Sequence, residues 1–155
     1  MVCVIYMKSF SGSEFWSQEW QDKMNKKGRK ASQQVIQEYP QFNLIEQPHD
    51  NRGYDVILRN YDIYIEVKQR DCTVVDITKA QTEKSDIISM YDEHWNGYHC
   101  LTSLYLEYAK KAYGSKFKRM SKTQFKKIAT TNLCELVEPL ISVREKRQTL
   151  DKWFL

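Results

Sequence analysis

Two β-prone runs on either side of Asn60-Tyr61 constrain this chain more than any other feature. The stretch from Gly53 to Lys68 reads GYDVILRNYDIYIEVK. Tyr54 to Arg59 and Asp62 to Lys68 are rich in Val, Ile, Leu and Tyr, and a short turn containing Asn divides them. That pattern predicts a β-hairpin, with Asn supplying the left-handed backbone that tight turns need. In the second run Asp62, Tyr64, Glu66 and Lys68 alternate with Ile63, Ile65 and Val67, so the two sets point to opposite faces. With Asn60 and Tyr61 as the loop, or with a four-residue loop from Arg59 to Asp62, Asp55 lies directly opposite Glu66. Like charges in that position are destabilising. A cation between them would resolve the repulsion, and oxygen-only ligands suit Mg²⁺ or Mn²⁺. The same residues also fit an ordinary half-exposed sheet face with Arg59 and Asp62 as a cross-strand pair. A one-residue change of register would separate Asp55 from Glu66.

At 155 residues the chain is expected to form one domain, 1–155, with a basic, helical C-terminal part over 107–155. No apolar run is long enough to span a membrane. The opening MVCVIYMKSF lacks the features of a signal peptide and reads as a strand, so an intracellular protein is expected. Cys3, Cys72, Cys100 and Cys134 are scattered and do not cluster with His49, His94 or His99. Zinc is therefore not expected, and the thiols are expected reduced and mostly buried.

Charge is unevenly distributed. From Lys110 to Lys127 there are eight Lys or Arg and no Asp or Glu, and Lys23, Lys26, Lys27, Arg29 and Lys30 precede the hairpin. A basic surface near an acidic metal site points to a polyanionic substrate. Tyr113, Phe117 and Phe125 are interleaved with the lysines, a mixture that can bind nucleic acid. A solvated face over core aromatics is the plainer alternative.

The remaining elements follow from local signals. Ser11 with Glu14 predicts a helix start near Gly12. Trp16, Trp20 and Met24, then Ala31, Val35 and Tyr39 past Gly28, form the apolar stripe of one kinked helix or two consecutive ones, ended by Pro40. Phe42 to Glu46 is a predicted strand, Gln47 to Gly53 a polar turn carrying His49, and Thr73–Val75 a short strand. Residues 77–95 read as a helix with Thr78 as N-cap and Gln81 as its capping-box partner. Tyr98 to Tyr108 reads as a buried strand. Gly114 marks a turn, Ser121 with Gln124 opens a helix, and 132–155 is a helix and tail whose Trp153 and Phe154 pack onto the domain or onto a partner.

The order helix, strand, strand, strand, helix, strand, with Asp55 on the second strand and Glu66-Val67-Lys68 on the third, resembles the PD-(D/E)xK nuclease superfamily over about Lys27 to Leu106. Lys27-Gly28 opening a helix, and Thr78-Lys79-Ala80-Gln81 after the Lys strand, look most like its small Holliday-junction-resolvase-like and phage or homing nucleases. The resemblance implies an α/β, restriction-endonuclease-like core: a central mixed β-sheet flanked by helices in the order α-β-β-β-α-β. It implies a metal-dependent endonuclease acting on DNA rather than RNA. Asp55, Glu66 and the Val67 carbonyl would hold Mg²⁺, with Mn²⁺ able to substitute. Lys68 would hold or deprotonate the attacking water, and Gln81 would orient water, ligand or phosphate. Two departures stand out. Tyr54 replaces the motif's Pro, and Ser32, Gln33 and Gln34 stand where the first helix usually carries Glu, so Glu38 is the candidate fourth acid. Lys116, Lys118, Arg119, Lys122, Lys126 and Lys127, with Lys27, Arg29 and Lys30, would contact backbone phosphate. A homodimer or higher homo-oligomer would supply two sites for two strands. Two rival readings fit the same residues: a non-catalytic nucleic-acid-binding module on the same fold, and an adaptor whose basic helix binds an acidic protein.

Overall fold

The computed structural model describes residues 17–48 and 55–154. Helix α1 (Gln18–Glu38) is continuous through Gly28, and the Ser17 hydroxyl caps it by accepting from Trp20 N at 3.1 Å. The Ser11–Glu14 box, the N-terminal strand, His49 and Tyr54 lie outside the described residues. A 3₁₀ turn at Pro40–Phe42 leads into the short β1 (Ile45–Glu46), in place of a strand from Phe42. Then come β2 (Val56–Leu58), a 3₁₀ turn at Arg59–Tyr61 and β3 (Ile63–Gln69). The hairpin register is the one the loop length dictates, with Val56 facing Ile65 and Leu58 facing Ile63. The left-handed residue of the turn is Asp62 (φ 51°) rather than Asn60. Asp, like Asn, reaches that conformation because its short polar side chain can bond locally.

After β3, β4 (Val74–Thr78) precedes α2 (Lys79–Lys84), β5 (Ile87–Tyr91) and β6 (Gly97–Leu101). The long helix expected over 77–95 is therefore a single helical segment followed by a strand. Ile87 to Tyr91 is buried throughout, and a fully buried run carries no alternation to distinguish strand from helix. Parallel pairing with β3, Ile65 to Ile87 through Gln69 to Tyr91, decides it. The strand expected over 98–108 ends at Leu101, where α3 (Thr102–Tyr108) begins. The basic run folds first as a ribbon, β7 (Lys110–Ala112) and β8 (Phe117–Ser121), then as α4 (Lys122–Ile128), and α5 (Cys134–Phe154) closes the chain.

These elements form a central mixed sheet, β1-β2-β3-β5-β6, flanked by helices, and a second sheet, β4-β8-β7. On one face of the central sheet, Ala31 and Val35 of α1 and Leu133 and Val137 pack on Val56, Leu58, Ile63 and Ile65. On the other, Ile88 and Met90 meet Val75, Ile77 and Met120 of the second sheet with Tyr105 and Phe125. The expected α-β-β-β-α-β order is thus present, with β4 inserted before α2. Trp153 and Phe154 do not pack back on the domain, being 82% and 86% exposed. Cys72 is in a disulfide rather than reduced. Cys100 is a buried free thiol and Cys134 a half-buried one. Among the described residues no helix is long and apolar enough to cross a membrane.

Candidate active site

Strand β3 lies at the centre of the main sheet, and its end opens into a cleft of about 950 Å³. Asp55, just before β2, donates its N–H to the Ile65 carbonyl at 3.0 Å and accepts from Val67 N through Oδ2 at 2.9 Å. The backbone of β3 thus fixes the carboxylate directly. Glu66, next along that face, is 1% exposed. Its Oε1 lies 2.7 Å from Lys68 Nζ, a charge contact without hydrogen-bond alignment, so this buried oxygen keeps an open lone pair. Burial pushes the Glu66 carboxyl above the usual range. Lys68 pulls it down, and the nearby Asp55 carboxylate pushes it up again.

Asp55, Glu66, Val67, Lys68 and Gln81 all line the cleft. Gln81 also closes a capping box: its Oε1 accepts from Thr78 N at 3.0 Å while its own N–H donates to Thr78 Oγ1. Its side-chain amide NH₂ is what it can offer the cleft. Glu38 is not brought to this site. Its carboxylate accepts from Tyr91 OH at 3.1 Å and from Gln34 at 2.8 Å, and it does not line the cleft. Ser32 (4% exposed) and Gln33 form the α1 wall instead.

Whether these groups fit a divalent ion can be judged from the donors. Among the described residues no three His, Cys, Asp or Glu side chains are grouped to hold a metal. Two carboxylates and a main-chain carbonyl remain. That set fits Mg²⁺, which binds through one or two carboxylates and keeps water and substrate phosphate as its other ligands. The unaligned Oε1 of Glu66 is the orphaned atom such an ion would satisfy.

The opposite wall comes from the second sheet. Asp76 faces Arg119 across β4 and β8, and Arg119 binds it through Nε at 2.5 Å and Nη2 at 3.0 Å. Arg119 also donates to Tyr113 OH at 2.7 Å and stacks on that ring. Arg70, two residues beyond Lys68, lines the same cleft. Its position in the β3 alternation was a usable signal that sequence reasoning missed. No local signal points to Asp76.

The expected phosphate contacts divide into two groups. Lys27 pairs with Asp71 at 2.8 Å, Lys122 with Glu93 at 2.5 Å and Lys126 with Asp92 at 3.0 Å. Hydrogen bonds from Lys27 and then Gln69 hold the Asp71 carboxyl below its usual range. Lys30 sits over the Trp95 ring. Arg29 lines the cleft, Lys116 and Lys118 lie on the β7–β8 ribbon, and Lys127 is exposed on α4.

No family model matches this sequence, and no curated protein matches it. Among solved structures, Hjc, a Holliday junction resolvase from Archaeoglobus fulgidus, aligns with a TM-score of 0.54 at 10% identity, over 71% of this chain and 94% of that one. The likeness shows a shared fold. The bacterial homing endonuclease I-Ssp6803I aligns with a TM-score of 0.45 at 15% identity, over 61% of this chain and 74% of that one.

Proposed function

We propose that this chain is a divalent-ion-dependent endonuclease acting on DNA. The observation that carries the reading is the gathering, at the floor of one cleft, of Asp55, whose carboxylate accepts from Val67 N–H, with Glu66 and the Lys68 that lies 2.7 Å from it. The same fold is found in a Holliday junction resolvase, which supports DNA as the substrate class.

Asp55, Glu66 and the Val67 carbonyl would hold Mg²⁺, or Mn²⁺ in its place. Such an ion supplies Lewis-acid charge at the scissile phosphate and acidifies water beside it. The chain's own residues do the rest. Val67 N–H orients Asp55, and the buried position of Glu66 keeps its charge from being screened. Lys68 places an ammonium beside Glu66, where it orients the attacking water and contacts the phosphate oxygens. Gln81 turns its NH₂ toward the same space. Two such sites would let both strands of a duplex be cut together, and a homodimer or higher homo-oligomer would supply them.

One observation favours a non-catalytic DNA-binding module instead. The α1 wall of the cleft presents Ser32 and Gln33 rather than a third carboxylate. Cleavage of plasmid, single-stranded and branched DNA with Mg²⁺ or Mn²⁺ separates the readings. The nuclease cuts at least one substrate, and Asp55→Asn and Lys68→Ala bind it without cutting. A wild-type chain that binds all three and cuts none refutes the enzyme.

A further inference from the structure

The basic side chains that line the cleft are Lys27, Arg29, Lys68, Arg70 and Arg119. Lys27 is paired with Asp71, Lys68 with Glu66 and Arg119 with Asp76. Arg29 and Arg70 have no carboxylate within ion-pair distance among the described residues. Arg29 is exposed on α1, where water serves a lone cation well. Arg70 is half-buried just past the end of β3, and a cation withdrawn from water is ordinarily matched by an anion.

The contacts of Arg70 leave its charge unused. Its Nη1 donates to the Gln69 carbonyl at 3.0 Å and its Nη2 to the Asp76 carbonyl at 3.4 Å. Both acceptors are neutral, and the two N–H groups of a Gln amide could serve them. A guanidinium carries five N–H donors in a planar fork, so three remain, together with the whole positive charge. Arg119 gives the contrast on the facing wall. The Asp76 carboxylate accepts from its Nε and Nη2, and Tyr113 OH accepts from Nη2 as well, so that charge is matched within the fold.

The place of Arg70 relative to Lys68 says which anion it awaits. Arg70 N–H donates to the Tyr91 carbonyl at 2.8 Å, so the pairing of β3 with β5 runs on to Arg70. Glu66, Lys68 and Arg70 therefore follow one another on one face of the strand. Residues two apart on a strand are separated by about 6.7 Å, close to the step from one phosphate to the next along a nucleic-acid strand. The two cationic heads do not converge. The Lys68 ammonium turns to Glu66 at 2.7 Å, whereas Arg70 reaches to the Asp76 carbonyl on β4. With Lys68 at the scissile phosphate, Arg70 stands one nucleotide away. A planar fork binds phosphate oxygens in pairs, which a point-charge ammonium does not.

We propose that Arg70 binds the phosphate next to the scissile one, forming a second phosphate subsite in the cleft. This rests on the nuclease reading and deepens it. The substrate is a strand that continues past the cut on the side Arg70 serves, and the cleft grips it by two successive phosphates.

The test uses whichever DNA form the wild-type chain cuts with Mg²⁺, with its cut mapped. The same DNA is made with a single methylphosphonate in place of the phosphate one step to the 5′ side of the cut, or one step to the 3′ side. That change removes one negative charge and keeps the strand continuous. On unmodified DNA, Arg70→Gln should lower kcat/KM about thirtyfold, the size of a hydrogen bond to a charged group, with most of the loss in KM. For the wild type, methylphosphonate on one of the two sides should cost about as much. In combination the two losses should not add, because each removes the same contact. A wild type indifferent to methylphosphonate on both sides overturns the subsite. So does an Arg70→Gln chain that loses as much from it as the wild type does, for Arg70 then supports the fold and not that phosphate. Arg70→Lys keeps the charge without the fork, and it carries the same cycle, with a smaller loss, if Arg70→Gln does not fold. A wild type that cuts no DNA form refutes the nuclease reading, and the subsite falls with it; cutting with additive losses refutes the subsite alone.

Discussion

Replacing Lys68 with Met removes the cation in contact with the buried Glu66 carboxylate. The two side chains are 17% and 2% exposed and 2.7 Å apart. At an effective dielectric of about 20, charges at that separation attract by roughly 6 kcal/mol before desolvation is counted. Removing one member of such a buried pair costs about 3–5 kcal/mol, because the other charge is left uncompensated. Protonation limits the loss. Glu66 already titrates above the usual carboxylate range, and without Lys68 its pKa rises further. A carboxyl with a raised folded-state pKa stabilises the fold fully below its unfolded pKa, and that stability is lost as pH rises through the folded value. Lys68→Met should therefore be about 3 kcal/mol less stable than wild type at pH 7 in chelator. The deficit should shrink toward pH 4.5. Adding Glu66→Gln should recover much of it, because no charge is then left buried. Urea denaturation of Lys68→Met, Glu66→Gln, the double variant and wild type, at two pH values, gives the cycle. A Lys68→Met loss below about 1 kcal/mol, independent of pH, would refute the picture of a buried, mutually dependent pair.

Two further outcomes follow. Ser32→Glu places a carboxylate on the α1 wall where the structure has a hydroxyl. It should raise Mn²⁺ affinity roughly tenfold, read by calorimetry, since affinity for hard cations tracks ligand charge; unchanged affinity would mean that this wall does not reach the ion. His99 is buried, with Nδ1 2.7 Å from Ser89 Oγ, and burial depresses its pKa from 6.5 to about 4. The stability it confers is complete above its ordinary pKa and is lost as pH falls toward the folded value, up to about 3 kcal/mol. An NMR titration should find the imidazole neutral at pH 5, and protonation near 6.5 would contradict the burial.

The floor of the cleft was legible because its determinants are local. Strict alternation and a short loop set the register of β2 and β3, which brings Asp55, just before β2, close to Glu66. The far wall was not legible, because Asp76 and Arg119 meet only through pairing of β4 with β8, strands distant in the sequence. Strand β5 was hidden by its own burial, since Ile87 to Tyr91 shows no period. Glu38 was misplaced by helix phase. It lies six residues beyond Ser32, about 240° round the helix at 100° per residue, and so turns to Tyr91 rather than to the cleft. The paired state of Cys72 had no local signal either.

The central claim is that Asp55 and Glu66 hold an ion that cuts DNA. Its most direct test is supercoiled plasmid incubated with the wild-type chain and with Asp55→Asn, with Mg²⁺ and with chelator. The account predicts nicked or linear plasmid from the wild type with Mg²⁺ only. Asp55→Asn should bind the same DNA equally well and cut it at least about a thousandfold more slowly, the scale expected when a group stabilising the transition state is lost. Cutting by Asp55→Asn at the wild-type rate, or cutting by either chain in chelator, would contradict it.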